Sequence, residues 1–122
     1  MNNPAAAFIT ILEIELKDLE EDIQLIMAND EVRRNHEEIS NYVYLENVAL
    51  LKKELFDVDG VIQKVQKMNP ADYSSQKEVA DTLLADLRDK VERKIFPPVL
   101  LTMLERKFDK VTRYIGENRA GN

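Results

Sequence analysis

Val48, Leu51, Leu55, Val58, Ile62 and Val65 follow one another at spacings of three, four, three, four and three. That alternation puts six branched apolar side chains on one stripe of an α-helix, the seam of a helix packed lengthwise against others. The rhythm returns near the N-terminus in Ile9, Leu12, Leu16, Leu19, Ile23 and Ile26, and near the C-terminus in Leu101, Leu104, Phe108, Val111 and Ile115. A third helical segment, with Val79, Leu83, Leu84, Leu87, Val91 and Ile95 on its buried side, lies between them. No stretch alternates apolar and polar residues between turn formers, so the pattern predicts an all-α chain.

The boundaries follow from caps and breakers. Asn3-Pro4 reads as an N-cap with proline in the first turn. Ala28-Asn29-Asp30 predicts the end of helix 1. Asp30, or Asn35 with Glu38 three residues on, then starts helix 2. Asn69-Pro70 to Ser74 is a loop, Ser75 with Glu78 is a capping box, and Phe96-Pro97-Pro98 interrupts the last helical stretch. The expected helices are about 4–28, 31–68, 76–95 and 98–116, with loops at 28–35, 68–75 and 96–98, Gly116 and Asn118 as a C-cap, and a tail at 119–122. They assemble as an antiparallel up-down four-helix bundle. The alternative is three long helices, the last kinked at Pro97-Pro98.

A chain of 122 residues with 44% hydrophobic and 33% charged residues makes one globular domain rather than a disordered segment. It has no Cys, hence no disulfide framework, thiolate metal site or thiol nucleophile. The apolar run Ala5 to Leu12 lacks a basic flank and meets Glu13 and Glu15, unlike a signal peptide, and nothing approaches the ~20 apolar residues of a membrane span. The expected location is the cytoplasm.

No constellation carries recognisable chemistry. Asp57-Val58-Asp59-Gly60 has the look of part of a calcium loop, but alignment on Gly60 puts Leu55 at the first ligand position and Gln66 at the last. His36 is the one histidine, with Arg33 three residues before it, so neither a di-iron pair nor a zinc-hydrolase site can form around it. Acidic runs such as Glu20-Glu21-Asp22 point around a helix in different directions. The reading is therefore a non-enzyme with no cofactor and no metal.

Surface and charge supply the functional expectations. Ala7, Ile11 and Ile14 form a second stripe offset from the helix 1 seam and predict a subunit or partner contact, with a homodimer expected. The seam itself is flanked by Glu13, Glu15, Glu20 and Asp22, which disfavour pairing with an identical parallel neighbour. Phe96, Leu100 and Met103 at the proline break, joined at that end of the bundle by Tyr42 and Tyr44, form a second candidate contact. Residues 1–61 carry a net charge of −9 and residues 62–122 one of +3, against −6 for the chain. Arg88, Lys90, Arg93, Lys94, Arg106, Lys107, Lys110 and Arg113 could hold an anionic partner or nucleic acid. Interspersed acids favour pairing of these cations with helix 1 and with neighbours one turn away, and the overall negative charge disfavours nucleic acid. The sequence thus points to a helical protein–protein interaction or assembly module, adaptor- or chaperone-like, that binds itself or a helical partner. An anion binder using the run 88–113 is the alternative.

Overall fold

The computed structural model describes the backbone of residues 3–120 and the side chains of residues 3–116. The chain forms α1 (Pro4–Asn35), α2 (Asn41–Gln66), a 3-10 turn at Pro70–Asp72, α3 (Gln76–Glu92) and α4 (Pro98–Ala120), with no strand among the described residues. It is an all-α bundle.

Local chemistry explains most boundaries. Asn3 Oδ1 accepts the Ala5 N–H at 2.9 Å, with Pro4 opening α1. At α3, Ser75 Oγ accepts the Glu78 N–H at 3.1 Å. Glu78 reaches back to Ser74, whose N–H donates to its Oε2 at 3.0 Å, so the capping box closes one residue earlier than its spacing implies. Pro98 starts α4, with Pro97 just before it, instead of kinking a continuous helix, because proline is tolerated in a first turn. The three-helix alternative is thereby corrected: α3 and α4 are separate.

Three boundary expectations are also corrected. Helix 1 does not end at 28, and no loop spans 28–35; α1 continues to Asn35. Asn29 and Asp30 are weak helix formers, but Asp30 is buried, with Arg33 Nη1 3.7 Å away, and tertiary placement overrides propensity. Asn35 and Glu38 do not cap α2. It starts at Asn41 rather than 31, where Ser40 Oγ accepts the Val43 N–H at 3.1 Å. Gly116 and Asn118 do not close α4, whose backbone stays helical to Ala120, so only 121–122 of the expected tail remain, outside the described residues.

α1 and α3 both end in Schellman motifs without glycine. Glu37 has φ 59°, Glu38 N–H donates to Arg33 O at 2.8 Å and Glu37 N–H to Arg34 O at 3.0 Å. Lys94 has φ 60°, and Ile95 N–H donates to Lys90 O at 2.8 Å. An apolar contact usually accompanies this motif. At α1 an ion pair takes its place, Arg33 to Glu38 at 3.5 Å.

α1 is the hub, packing against α2, α3 and α4, while α3 also packs on α4. α1 runs antiparallel to α2 and α4, and α3 to α4: Asn3 lies by Pro70, Glu15 by Lys110 and Arg88 by Glu105. The core joins Phe8, Leu12, Leu16 and Ile23 of α1 to Val58, Ile62 and Val65 of α2, Val79, Leu83 and Leu87 of α3, and Leu100, Leu104 and Val111 of α4. Phe8 and Phe108 meet edge to face at 6.2 Å. α2 and α3 meet through charge instead, with Asp86 held by Lys64 at 3.0 Å and Lys90 at 3.2 Å.

Gly60 stands inside α2 on an exposed face, and a Cβ built there meets nothing within 4 Å. The close packing that a mid-helix glycine often marks does not occur. Gly60→Ala should therefore stabilise the fold by about 0.5–1 kcal/mol, read as a higher urea midpoint. An unchanged or lower midpoint would mean that a side chain at position 60 meets a neighbour.

Candidate functional site

The helices of this bundle are unequal. At 1.5 Å per residue, the 32 residues of α1 run about 48 Å, while the 17 of α3 run about 26 Å. The corner between α3 and α4 meets α2 at Lys53, whose Nζ donates to Ile95 O at 3.1 Å. Past that level residues 24–52 continue alone as a two-helix arm, and Asp30 is the one buried residue in it.

The arm keeps the seam but loses its cover. Val58, Ile62 and Val65 are buried, whereas Val48 and Leu51 of the same stripe, within the arm, are half-buried, as is Leu55 just below it. Two further stripes run out beyond the corner. Val43 and Leu50 lie at seven-residue steps above buried Asp57, and Ile26 lies seven residues above buried Leu19. Leu50 is 65% exposed and Ile26 50% exposed. Where arm meets corner, a groove of about 750 Å³ is lined by Leu50, Lys53, Val91, Ile95, Phe96 and Val99. Leu25, Val32, Tyr42 and Leu45 are exposed elsewhere on the arm. In a chain that is one-third charged, the eleven residues from Asn41 to Leu51 carry one charge, Glu46.

The expected contact residues are distributed differently. Ala7 and Ile11 pack against the core beside α4, leaving Ile14 exposed near Lys110 and Tyr114, so the offset stripe is not an open face. Phe96 and Leu100 are buried and Met103 packs against the core, since α4 faces both α1 and α3. Tyr42 and Tyr44 stand at the far end of the arm, not beside the proline break. Tyr42 is exposed, while Tyr44 lies under the Arg34 guanidinium at 4.1 Å. The sequence signal for the arm is the near-uncharged run 41–51, of which the seam takes only Val48 and Leu51.

Six of the eight basic residues have an acid within 4 Å. Lys107 and Lys110 hold Glu15 at 3.2 and 2.7 Å. Arg88 meets Glu105, Lys90 meets Asp86, Arg93 meets Asp89 and Arg113 meets Asp109. Lys94 and Arg106 have no such partner among the described residues. Lys107 and Lys110 thus tie α4 to α1 through Glu15, while the other four pair on α3 and α4 themselves.

Lys110, with help from Lys107, holds the Glu15 carboxyl below the usual carboxylate range against the opposing effect of burial. A carboxyl lowered in the folded state adds stability above its unfolded pKa, and that stability is lost as pH falls through the folded value. Glu15→Gln should therefore lower stability at neutral pH, with the deficit shrinking in the acid range. Urea midpoints at several pH values read this directly, and a deficit that stays constant into acid would count against the ion triad.

Among the described residues no group of three or more His, Asp or Glu is placed to hold a metal, and no helix is long and apolar enough to cross a membrane. The fold defines a helical bundle with a projecting two-helix arm. No family model matches the chain, and neither a curated protein nor a solved structure matches it.

Proposed function

We propose that the protein is a non-enzymatic interaction or assembly module, adaptor-like and cytoplasmic, whose docking surface is the inner face of the arm. One observation carries this reading: α1 and α2 outrun α3 and α4, so the face that holds the rest of the bundle continues past the corner with Ile26, Val43 and Leu50 uncovered. Apolar surface of this kind suits a partner presenting an apolar helix face. The pairing of six of the eight cations of the run 88–113 supports this reading over an anion or nucleic-acid binder.

The test is comparative. The parent and the variant carrying Ile26→Asp with Leu50→Asp are immobilised and challenged with host extract. The proteins retained by the parent should be lost by the variant while its helical circular dichroism is unchanged. Equal retention by both would remove the arm as the docking surface.

A further inference from the structure

We infer that the arm opens and closes as a unit while the bundle below it stays folded, and that Asp30 sets how readily it does so. This property belongs to the arm's own α1–α2 contact and does not depend on its docking a partner.

Below the corner the inward stripe of α1 is apolar, and above it that stripe changes character. Leu16, Ile23 and Asp30 follow one another at seven-residue steps, so a carboxylate takes the third place on a line whose first two members are core. Met27 and Arg34 complete the stripe, Met27 partly buried and Arg34 laid over the Tyr44 ring of α2. The branched apolar side chains of this segment, Leu25, Ile26 and Val32, are exposed instead. On α2, Val48 and Leu51 of the seam are only half-buried. Closing the arm therefore removes little apolar area from water, and segments with few buried apolar contacts open at low cost.

Asp30 lowers that cost further. Its side chain is 8% exposed, although α2 is the one helix beside it at this level. Arg33 Nη1 stands 3.7 Å from the carboxylate, too far for a hydrogen bond, and Arg33 is shared with Glu38 at 3.5 Å. The bundle's own buried carboxylate, Asp57, is by contrast bonded directly by Lys53. A buried carboxylate with so loose a partner is unfavourable in the closed arm, and opening relieves it by returning the group to water. Opening also uncovers Met27, Val48 and Leu51, which the closed arm half hides.

Amide hydrogen exchange at neutral pH, read by mass spectrometry on the parent and on Asp30→Leu, tests this. In the parent, amides within 24–33 and within 44–52 should exchange at least about a hundredfold faster than those within 12–23 and 58–65. The two sides of the arm should exchange together, as one opening requires. Asp30→Leu should slow the arm amides on both helices at least about tenfold, since an apolar side chain there removes the burial cost and adds apolar contact. A parent arm as protected as the bundle overturns the inference. So do unrelated rates on the two sides, which would reduce the opening to fraying of separate helix ends. Arm exchange in Asp30→Leu at the parent's rate, or faster, overturns the role of Asp30; the faster result would make Asp30 with Arg33 a clasp that holds the arm shut.

Discussion

Leu16→Ala should lower the unfolding free energy by about 3–5 kcal/mol, through lost burial and the cavity left behind. Leu16 has no exposed surface and sits midway along the part of α1 that all the other helices touch. A domain of this size has roughly 5–15 kcal/mol in hand, so the variant should melt far below the parent. Leu55→Ala is the informative comparison. By its place in the six-residue seam, Leu55 would cost as much as Leu16. In the fold it is half-buried against the hub, just below the level at which cover ends, and its truncation should cost about 1–2 kcal/mol. Chemical denaturation of both variants at a concentration that keeps the parent monomeric gives the ratio. Equal losses would mean that the seam is covered along its whole length, and the arm would not exist as described.

That comparison also locates what periodicity can and cannot reveal. The three-four spacing identified the helices and the stripe each turns inward, since both follow from the 3.6-residue repeat. Asn3, Ser75 and Glu78 were legible as caps because their side chains bond backbone N–H groups a few residues away. Periodicity does not say how many neighbours a stripe meets. Val48 and Val65 look equivalent in sequence, yet one faces a single helix and the other a full bundle. Nor does it say how wide the covered sector is. Phe96, Leu100 and Met103 looked surplus because α4 was assigned one seam, whereas it has two neighbours. The α1–α2 turn was misplaced for a different reason. Its stop signal is a left-handed Glu37, a conformation that glycine usually marks, and its start signal is a lone Ser40 without an acid three residues on. Ion pairs across the bundle are the opposite case: unlike charge on the two halves is enough to expect helix 1 to meet the basic run, which Glu15 does with Lys107 and Lys110, while Arg113 pairs with Asp109 one turn away.

Lys53→Met should destabilise the fold by about 2–4 kcal/mol, more than loss of a surface ion pair allows. Its partner Asp57 is buried at 2% exposure, with Oδ1 bonded to the Lys53 ammonium and Oδ2 without a hydrogen-bond partner. Lys53 is half exposed, which sets the cost below that of a fully buried pair, but it is the cation that Asp57 touches. It also donates to Ile95 O at 3.1 Å and lies 5.8 Å from the Phe96 ring centroid, so the same side chain fastens α2 to the corner at the base of the arm. Burial, together with the Asp57 charge, pushes the neighbouring Glu54 carboxyl up. Removing the ammonium would leave two carboxylates at this junction with that cation gone. The penalty should come from the stranded anion rather than from the lost attraction, because breaking a buried pair costs more than replacing it whole. Lys53→Met combined with Asp57→Val should therefore be less destabilised than Lys53→Met alone, by about 1–3 kcal/mol. A double-mutant cycle by urea denaturation at neutral pH measures the coupling, and strictly additive losses would show that Asp57 does not depend on Lys53.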